Sequence, residues 1–543
     1  MRKEFIKISV ALVLLLLAVS LYVPAVAWIF ILVLPLLVIG YIDYFQTKHT
    51  IRRIFPILGH FRYLLEMIRP EINQYFIESN QDGVPISREE RSLAYQRAKS
   101  DNDSLPFGTQ KNVYESGYEW LTHSISPKHL NPDKLRVNIG GAECKQPYSA
   151  SILNISAMSF GSLSPNAILA LNGGAKDGNF AHNTGEGGIS PYHLENSGDL
   201  IWQIGTGYFG CRTEDGNFSA ESFKLKTENP NIKMIEIKIS QGAKPGHGGL
   251  LPAAKVTEEI AEIRGVPIGK DVVSPAGHKV FSTPIELLQF IAQLRSLSGG
   301  KPIGFKLAIG NRYEFVAICK AMVETGIRPD FITVDGGEGG TGAAPLEFSN
   351  RIGEPGVDAL IFVHNVLRGF NLRKDIKIIA TGKITNAFEM IKRLALGADL
   401  FYSARGMMLA LGCIQALRCH TNHCPAGVAT QDSNLYDGLV VTDKRVRVKN
   451  FHKNNIASLA HMIGAIGLDN PDQLRPWHIK RRVDLTEIKS YFDLYTYVND
   501  GDFNDEKAIP DEYLKDYLLA SSDSFEANEQ FLSLKLSLTL SAE

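Results

Sequence analysis

Residues 150–432 are predicted to form a (β/α)8 barrel, on three observations. Eight short, apolar, β-rich runs recur in order: "SILNISA", "NFAHNTG", "LIWQIGT", "KMIEIKIS", "PIGFKLA", "DFITVDG", "IKIIATG" and "DLFYSA". Helical patterns such as "NRYEFVAICKAMVETG" and "NAFEMIKRLALGA" follow most of them, giving the strand-then-helix alternation of that fold. Glycine-rich and polar clusters come directly after the strands, as in "MSFGS", "TGEGG", "SQGAKPGHGG", "DGGEGGTG", "TGKITN" and "SARG". Loops at that end of a barrel build its active site, and loops that only turned the chain would not concentrate glycine there. Units two and three are compressed, and the segment after the fourth strand is long.

The chain opens differently. No charged residue occurs from Ile8 to Ile42, and the run is almost wholly apolar. A membrane span needs about 20 apolar residues, so this stretch is too long for one upright helix and suits two short ones. Pro24 falls near the middle, where the chain can reverse. Arg2, Lys3 and Lys7 precede the run, and Lys48, Arg52 and Arg53 follow it. Positive charge at both ends predicts a transmembrane hairpin over residues 1–43, with both ends and the catalytic domain in the cytoplasm, at the cell membrane. A single tilted span or a cleaved signal peptide are the alternatives. The run is about twice as long as a signal core and has no small-residue cleavage site after it.

Residues 44–149 read as a mixed, largely helical region. "FRYLLEMIRPEINQYF" has helical apolar spacing, interrupted by Pro70. "SREERSLAYQRAK" starts with Ser87 and places Glu90 three residues on, the pattern of a capping box. Residues 433–543 read as a helical and acidic tail, with a helix at "IASLAHMIGAIGL" and a solvated loop at "NDGDFNDE". Over all 543 residues the formal net charge is -1, so no bulk basic field recruits nucleic acid. Cys144, Cys211 and Cys319 are far apart and form no disulfide framework.

The other three cysteines, Cys413, Cys419 and Cys424, are spaced C-x5-C-x4-C within "CIQALRCHTNHCPAGVATQ". Three thiols are one short of the usual four-ligand zinc site, although His420 or His423 could complete a Cys3His set. An odd number also fits poorly with disulfides.

Taken together, "SAMSFGS", "NTGEGG", "QGAKPGHGG", "SPAGH", "DGGEGGTGAAPL" and "CHTNHCPAGVATQ" resemble the FMN-binding central domain of glutamate synthase large subunits, particularly the stand-alone members. They keep the same order over roughly half of the chain. The resemblance implies FMN in the barrel and a 3Fe-4S cluster on Cys413, Cys419 and Cys424, one thiolate per iron. Cys413 is expected on the helix after strand eight. The activity implied is formation of 2-iminoglutarate from 2-oxoglutarate and ammonia, followed by hydride transfer from reduced FMN to give L-glutamate.

The same resemblance distributes roles over the loops. The flavin phosphate is expected at the loops after strands seven and eight, with Gly382 allowing close backbone approach and Ser403 and Arg405 as donors. Ala157, Met158 and Ser159 lie against the ring, Gln203 makes a polar contact, and Lys306 is an inward cation that tunes the reduced ring. Ser159, Lys244 and Arg264 meet the substrate, whose two carboxylates need fixed cations. Glu186 is the acid that positions ammonium, with Glu186 and Lys244 as the catalytic pair.

Two departures stand out. Glutamate synthases usually read "AKPGEGGQLPG" where this chain reads "AKPGHGGLLPA", so His247 replaces a glutamate and Leu250 a glutamine that helps hold substrate. Another oxo or hydroxy acid, or an electron relay without turnover, is the rival reading. No amidotransferase domain and no complete dinucleotide-binding fingerprint are found, so electrons are expected from a separate donor, a ferredoxin or a reductase subunit.

Overall fold

The computed structural model describes residues 2–528, which fall into two compact units divided at Arg88. Positions 529–543 of the expected tail lie outside the described residues.

In the first unit a helix over Arg2–Tyr22 ends just before Pro24, which opens a 3-10 turn over Pro24–Ile29. A second helix then runs back over Phe30–Phe45. The two lie antiparallel. The Ser9 hydroxyl meets the Tyr41 hydroxyl at 2.8 Å, and the Phe5 and Tyr41 rings sit edge to face. Among the described residues, Arg2–Tyr22 and Pro24–Phe45 are long and apolar enough to cross a membrane, by length and composition. Beyond them a helix covers Gly59–Ile72 and continues through Pro70 into a π turn over Asn73–Ile77. The expected interruption at Pro70 is therefore only a change of helical pitch, three residues later. Proline removes one hydrogen bond near a helix end, and the widened turn re-forms the ladder around it.

The second unit is built on eight parallel strands that close on themselves: β1 (Leu153–Ile155), β2 (His182–Asn183), β3 (Leu200–Ile204), β4 (Ile232–Lys238), β5 (Ile303–Ala308), β6 (Phe331–Asp335), β7 (Lys377–Ala380) and β8 (Leu400–Ser403). Seven fall within one of the eight β-rich runs, and β4 starts one residue before its run. β8 pairs with β1 through Phe401 opposite Leu153, closing the ring. The principal helices are α1 (Pro165–Gly178), α2 (Pro191–Leu194), α3 (Ala220–Thr227), α4 (Pro284–Leu297), α5 (Arg312–Thr325), α6 (Gly356–Gly369), α7 (Ala387–Ala395) and α8 (Arg405–Leu411). Local chemistry starts them where it should. Ser164 caps α1 and is followed by Pro165, Thr283 forms a capping box with Glu286 on α4, and Asn386 caps α7.

The core lies where the outer strand faces meet the helices, with Trp202, Phe305, Ile332 and Phe401 buried. The end of the barrel at which the strands begin is met by an antiparallel pair, Arg136–Ile139 with Tyr148–Ser151, whose connecting turn donates from Gly141 N–H to Asp330 just before β6. A 25-residue helix over Val441–Ala465 packs along α1, α7 and α8, extending well beyond the expected helical stretch. Glu119–Leu121 pairs with Ile479–Arg482, so segments from the expected N- and C-terminal regions share one sheet.

The "NDGDFNDE" stretch is not simply a solvated loop. Phe503 is buried in it against the Phe370 and Tyr513 rings, at 5.3 and 5.9 Å between centroids. The acidic neighbours stay outside while one aromatic ring anchors the segment to α6.

Candidate functional site

The loops that follow the strands enclose a cleft of about 550 Å3, counted with its open mouth, at the end of the barrel where the strands finish. Ala157, Gln203, Lys306, Gly382 and Arg405 line it, together with Lys238, Gln241, Asp335 and Tyr402. Its floor is a polar layer inside the barrel. Glu236 is fully buried, and its Oε1 accepts from the Asn183 amide at 2.8 Å and the Gln203 amide at 2.6 Å. Its Oε2 accepts from the Thr333 hydroxyl at 2.6 Å. A buried carboxylate is costly without such partners, so this network fixes Gln203 in one orientation.

Lys306 stands beside this layer with its ammonium 3.1 Å from the Asp335 carboxylate. Burial pulls its pKa down, but Asp335 and Glu236 outweigh burial and hold it above the ordinary lysine value. The lysine inside an apolar strand is thus a paired, permanently charged group.

A second cluster forms above the ends of β2 and β4. Lys238, the last residue of β4, ion-pairs with Glu186 at 2.6 Å. Burial raises the Glu186 carboxyl, but Lys238, with Lys244 and Arg264 behind it, brings the net shift below the usual range. Lys244 is buried and donates to the Ala343 carbonyl at 2.9 Å. Burial, reinforced by repulsion from Lys238, lowers it to about 8, against the opposing pull of Glu186. Arg264 ends the helix over Glu258–Arg264, donates to the Phe160 carbonyl at 3.0 Å and lies over the Phe209 ring. Burial lowers it to about 10. Its Nε has no hydrogen-bond partner. Ser159 is buried, with its hydroxyl donated to Ser162 at 3.0 Å. Met158 is buried on the same loop.

Glycine is required where these loops press together. A Cβ on Gly242 would stand 1.7 Å from the Gly336 carbonyl oxygen, which no relaxation of a side chain could relieve. Gly382 adopts φ +96 in the loop after β7, a conformation that leaves its backbone open to the cleft. Arg405 donates to the Glu338 carbonyl at 2.6 Å, tying the loops after β6 and β8 together. Ser403 is spoken for differently from the expectation. Its hydroxyl is buried and donates to the Ile384 carbonyl at 2.5 Å, so it braces the loop after β7 and does not face the cleft.

Cys413 lies just past α8 and not on it, because Gly412 takes the left-handed conformation that ends the helix. Cys424 is buried, while Cys413 and Cys419 are partly so. Burial pushes the Cys413 thiol up to about 12, with Cys419 and Cys424 adding to the rise, so the three sulfurs are electrostatic neighbours. Lys255 is buried beside them and donates to the Ser162 and Ala429 carbonyls, both at 2.9 Å. Among the described residues no three His, Cys, Asp or Glu side chains are grouped to hold one metal ion.

Lys238, Glu236 and Asp335 were not among the expected site residues. The signal for the first two was in "KMIEIKIS", where Glu236 and Lys238 stand two apart in an apolar strand and so face the same side, and Asp335 ends the apolar strand in "DFITVDG". Lys306 carries that same signal in "GFKLA".

Comparison with known proteins adds the family context. A family model described as the conserved region in glutamate synthase matches residues 109–469. The chain is 38% identical over 497 residues to the glutamate synthase large subunit-like protein YerD of Bacillus subtilis, covering 83% of this chain and 94% of that one. It is 34% identical over 360 residues to the archaeal glutamate synthase (NADPH) of Methanocaldococcus jannaschii, covering 66% of each chain. It is 35% identical over 320 residues to the archaeal-type glutamate synthase (NADPH) of Thermotoga neapolitana, covering 59% of this chain and 60% of that one.

Proposed function

The chain belongs to the glutamate synthase family, and on that premise we propose that it is a membrane-tethered oxidoreductase forming L-glutamate from 2-oxoglutarate and ammonia. The observation that carries the reading is the convergence of Glu186, Lys238, Lys244 and Arg264 beside the cleft that the strand-end loops enclose.

FMN suits this cleft. The backbone at Gly382 and Lys383 and the guanidinium of Arg405 border the place for a phosphate, and Ala157, Gln203 and Lys306 border the place for the ring. The cysteine loop suits a 3Fe-4S cluster. One zinc ion holds its thiolates at about 2.3 Å and draws all of them together. A cluster would give each thiolate its own iron, so three cysteines with no fourth ligand satisfy it. Bound there, the flavin supplies hydride and the cluster supplies single electrons from an external donor, a ferredoxin or a reductase subunit.

The residues of the chain do the rest. Lys244 and Arg264 hold the two carboxylates of the oxo acid, and the unpartnered Arg264 Nε leaves a donor for one of them. Glu186, kept ionised by Lys238, holds ammonium next to the oxo carbon. Ammonium first gives up a proton to Glu186, and the ammonia so formed adds to the oxo carbon; that proton then leaves with the oxygen as water, and the iminium carbon accepts hydride. With its amine near 8, Lys244 is charged at neutral pH and can donate a proton to the product nitrogen, regaining one from solvent before the next turnover. The hairpin tethers the barrel to the membrane, with the basic residues on both sides of it placing the catalytic unit in the cytoplasm.

A second reading, reduction of a different oxo acid, is favoured by Leu250. It follows Gly249, where a Cβ would stand 2.6 Å from Glu186, so an apolar residue begins next to the catalytic acid. The deciding experiment is anaerobic reduction of the purified holoprotein, followed by reoxidation with ammonium and a panel of 2-oxo acids. Glutamate formation from 2-oxoglutarate is the expected result. Reoxidation by another oxo acid alone selects the second reading, and reoxidation by none points to a relay. Reporter fusions after Lys48 test the tether, with cytoplasmic behaviour expected.

A further inference from the structure

The helix over Gly59–Ile72 carries an exposed apolar face within the first unit. Phe61 and Leu65 are 60% and 58% exposed, and Leu58 and Leu64 flank them. At roughly 100° per residue, Leu58, Phe61 and Leu65 share one stripe with the half-buried Ile68 and Ile72. Exposed apolar side chains continue on both sides, with Ile54 and Phe55 before the helix and Tyr75, Phe76 and Ile77 after it. A soluble surface seldom keeps so long an apolar run open to water unless something covers it.

Two observations say what covers it. The first is a pin to the hairpin. Asp43, in the last turn of the second spanning helix, is buried, and its Oδ2 accepts from Ile57 N–H at 3.0 Å and from His60 Nε2 at 2.8 Å. The start of the exposed stripe is therefore held at the level where the apolar hairpin ends. That level is the boundary between acyl chains and headgroups if the hairpin spans. The second is charge. Lys48, Arg52 and Arg53 lie between the hairpin and the helix, with Arg52 and Arg53 half-buried and Arg52 over the Tyr63 ring, and Arg62, paired with Glu66 at 3.0 Å, and Arg69 sit on one flank of the stripe. Long basic side chains in that position reach out to anionic headgroups while their stems stay in the apolar layer.

We infer that residues 54–77 form an interfacial element that lies on an anionic lipid surface, with Phe61 and Leu65 in the acyl boundary. This rests on the membrane reading of the hairpin. It extends that reading from a tether to a surface contact by the segment that links hairpin and barrel. Apolar burial and attraction to anionic headgroups act together in such elements.

The test uses the full chain in vesicles of phosphatidylglycerol and phosphatidylethanolamine. A photocrosslinking phenylalanine analogue is placed singly at Leu15 in the hairpin, at Phe61, at Leu65, or at Glu66 on the polar side of the helix. Phospholipid adducts, read by mass, are expected at Leu15, Phe61 and Leu65, several-fold above Glu66. Replacing phosphatidylglycerol by phosphatidylcholine should lower the yield at Phe61 and Leu65 several-fold while leaving Leu15 unchanged. Adducts at Leu15 with none at Phe61 and Leu65, or adducts there to protein, overturn the inference and leave the tether standing. No lipid adduct at Leu15 overturns the tether, and the inference with it.

Discussion

Lys238 Nζ lies 2.6 Å from Glu186 Oε1, and both side chains are largely withdrawn from water. Removing one partner of such a pair strands the other charge, which costs about 3–5 kcal/mol. Lys238→Met should therefore lower stability by that amount in urea unfolding of the holoprotein. Adding Glu186→Gln should restore most of the stability and none of the ammonium-dependent turnover. A double variant no more stable than Lys238→Met would show that the two residues do not act as a pair.

Lys244 gives a pH dependence with a definite sign. Its amine is lowered from 10.5 to about 8, so the charged form that holds a carboxylate prevails below pH 8 and is lost above it. The expected profile of kcat/KM for the oxo acid falls on the alkaline side with a midpoint near pH 8. Lys244→Arg should move that limb upward, since a guanidinium stays charged. Lys244→Ala should cost about 1.5–3 kcal/mol, roughly ten- to over a hundredfold in kcat/KM, with the flavin spectrum unchanged. A profile flat through pH 9 in the native protein would remove Lys244 from substrate binding.

The cysteine loop predicts iron, not zinc. Cys419→Ser should abolish the paramagnetic signal of the oxidised cluster and most of the bound iron, while FMN is retained, because Cys419 does not line the flavin cleft. Stoichiometric zinc without iron after anaerobic purification would sink the cluster assignment.

Much of this architecture could be read before the structure was known, and the reasons are physical. Each barrel strand is a short β-rich run bounded by glycine and polar residues, and all eight fall in the anticipated places. The cleft was legible because glycines such as Gly242 and Gly382 serve backbone approach, a need that composition alone exposes. Pairings were not legible. Glu236 with Gln203, and Lys238 with Glu186, join different strands or loops, and nothing local announces which partner a buried charge will find. Ser403 looked like a phosphate donor because hydroxyls near such loops often are, yet the Ile384 carbonyl lies nearer. Phe503 was hidden by its acidic neighbours, and its burial depends on α6 more than 130 residues away in sequence.

The pairing of Lys306 with Asp335 at 3.1 Å sets up a test of opposite signs. A cation beside the ring place stabilises negative charge on a reduced flavin, and an adjacent carboxylate counters it. Lys306→Met should lower the two-electron midpoint potential of bound FMN, and Asp335→Asn should raise it. A charged contact worth about 1.5–3 kcal/mol corresponds to roughly 30–65 mV for a two-electron couple. Asp335 also accepts from Gly242 N–H at 3.0 Å, so asparagine is chosen to keep its size and its oxygen. Glu236 gives an internal control, because it too raises the charged state of Lys306 from inside the barrel. Glu236→Gln should shift the potential in the same direction as Asp335→Asn. Potentials that move the same way for Lys306→Met and Asp335→Asn would mean that packing, not charge, governs this corner of the cleft.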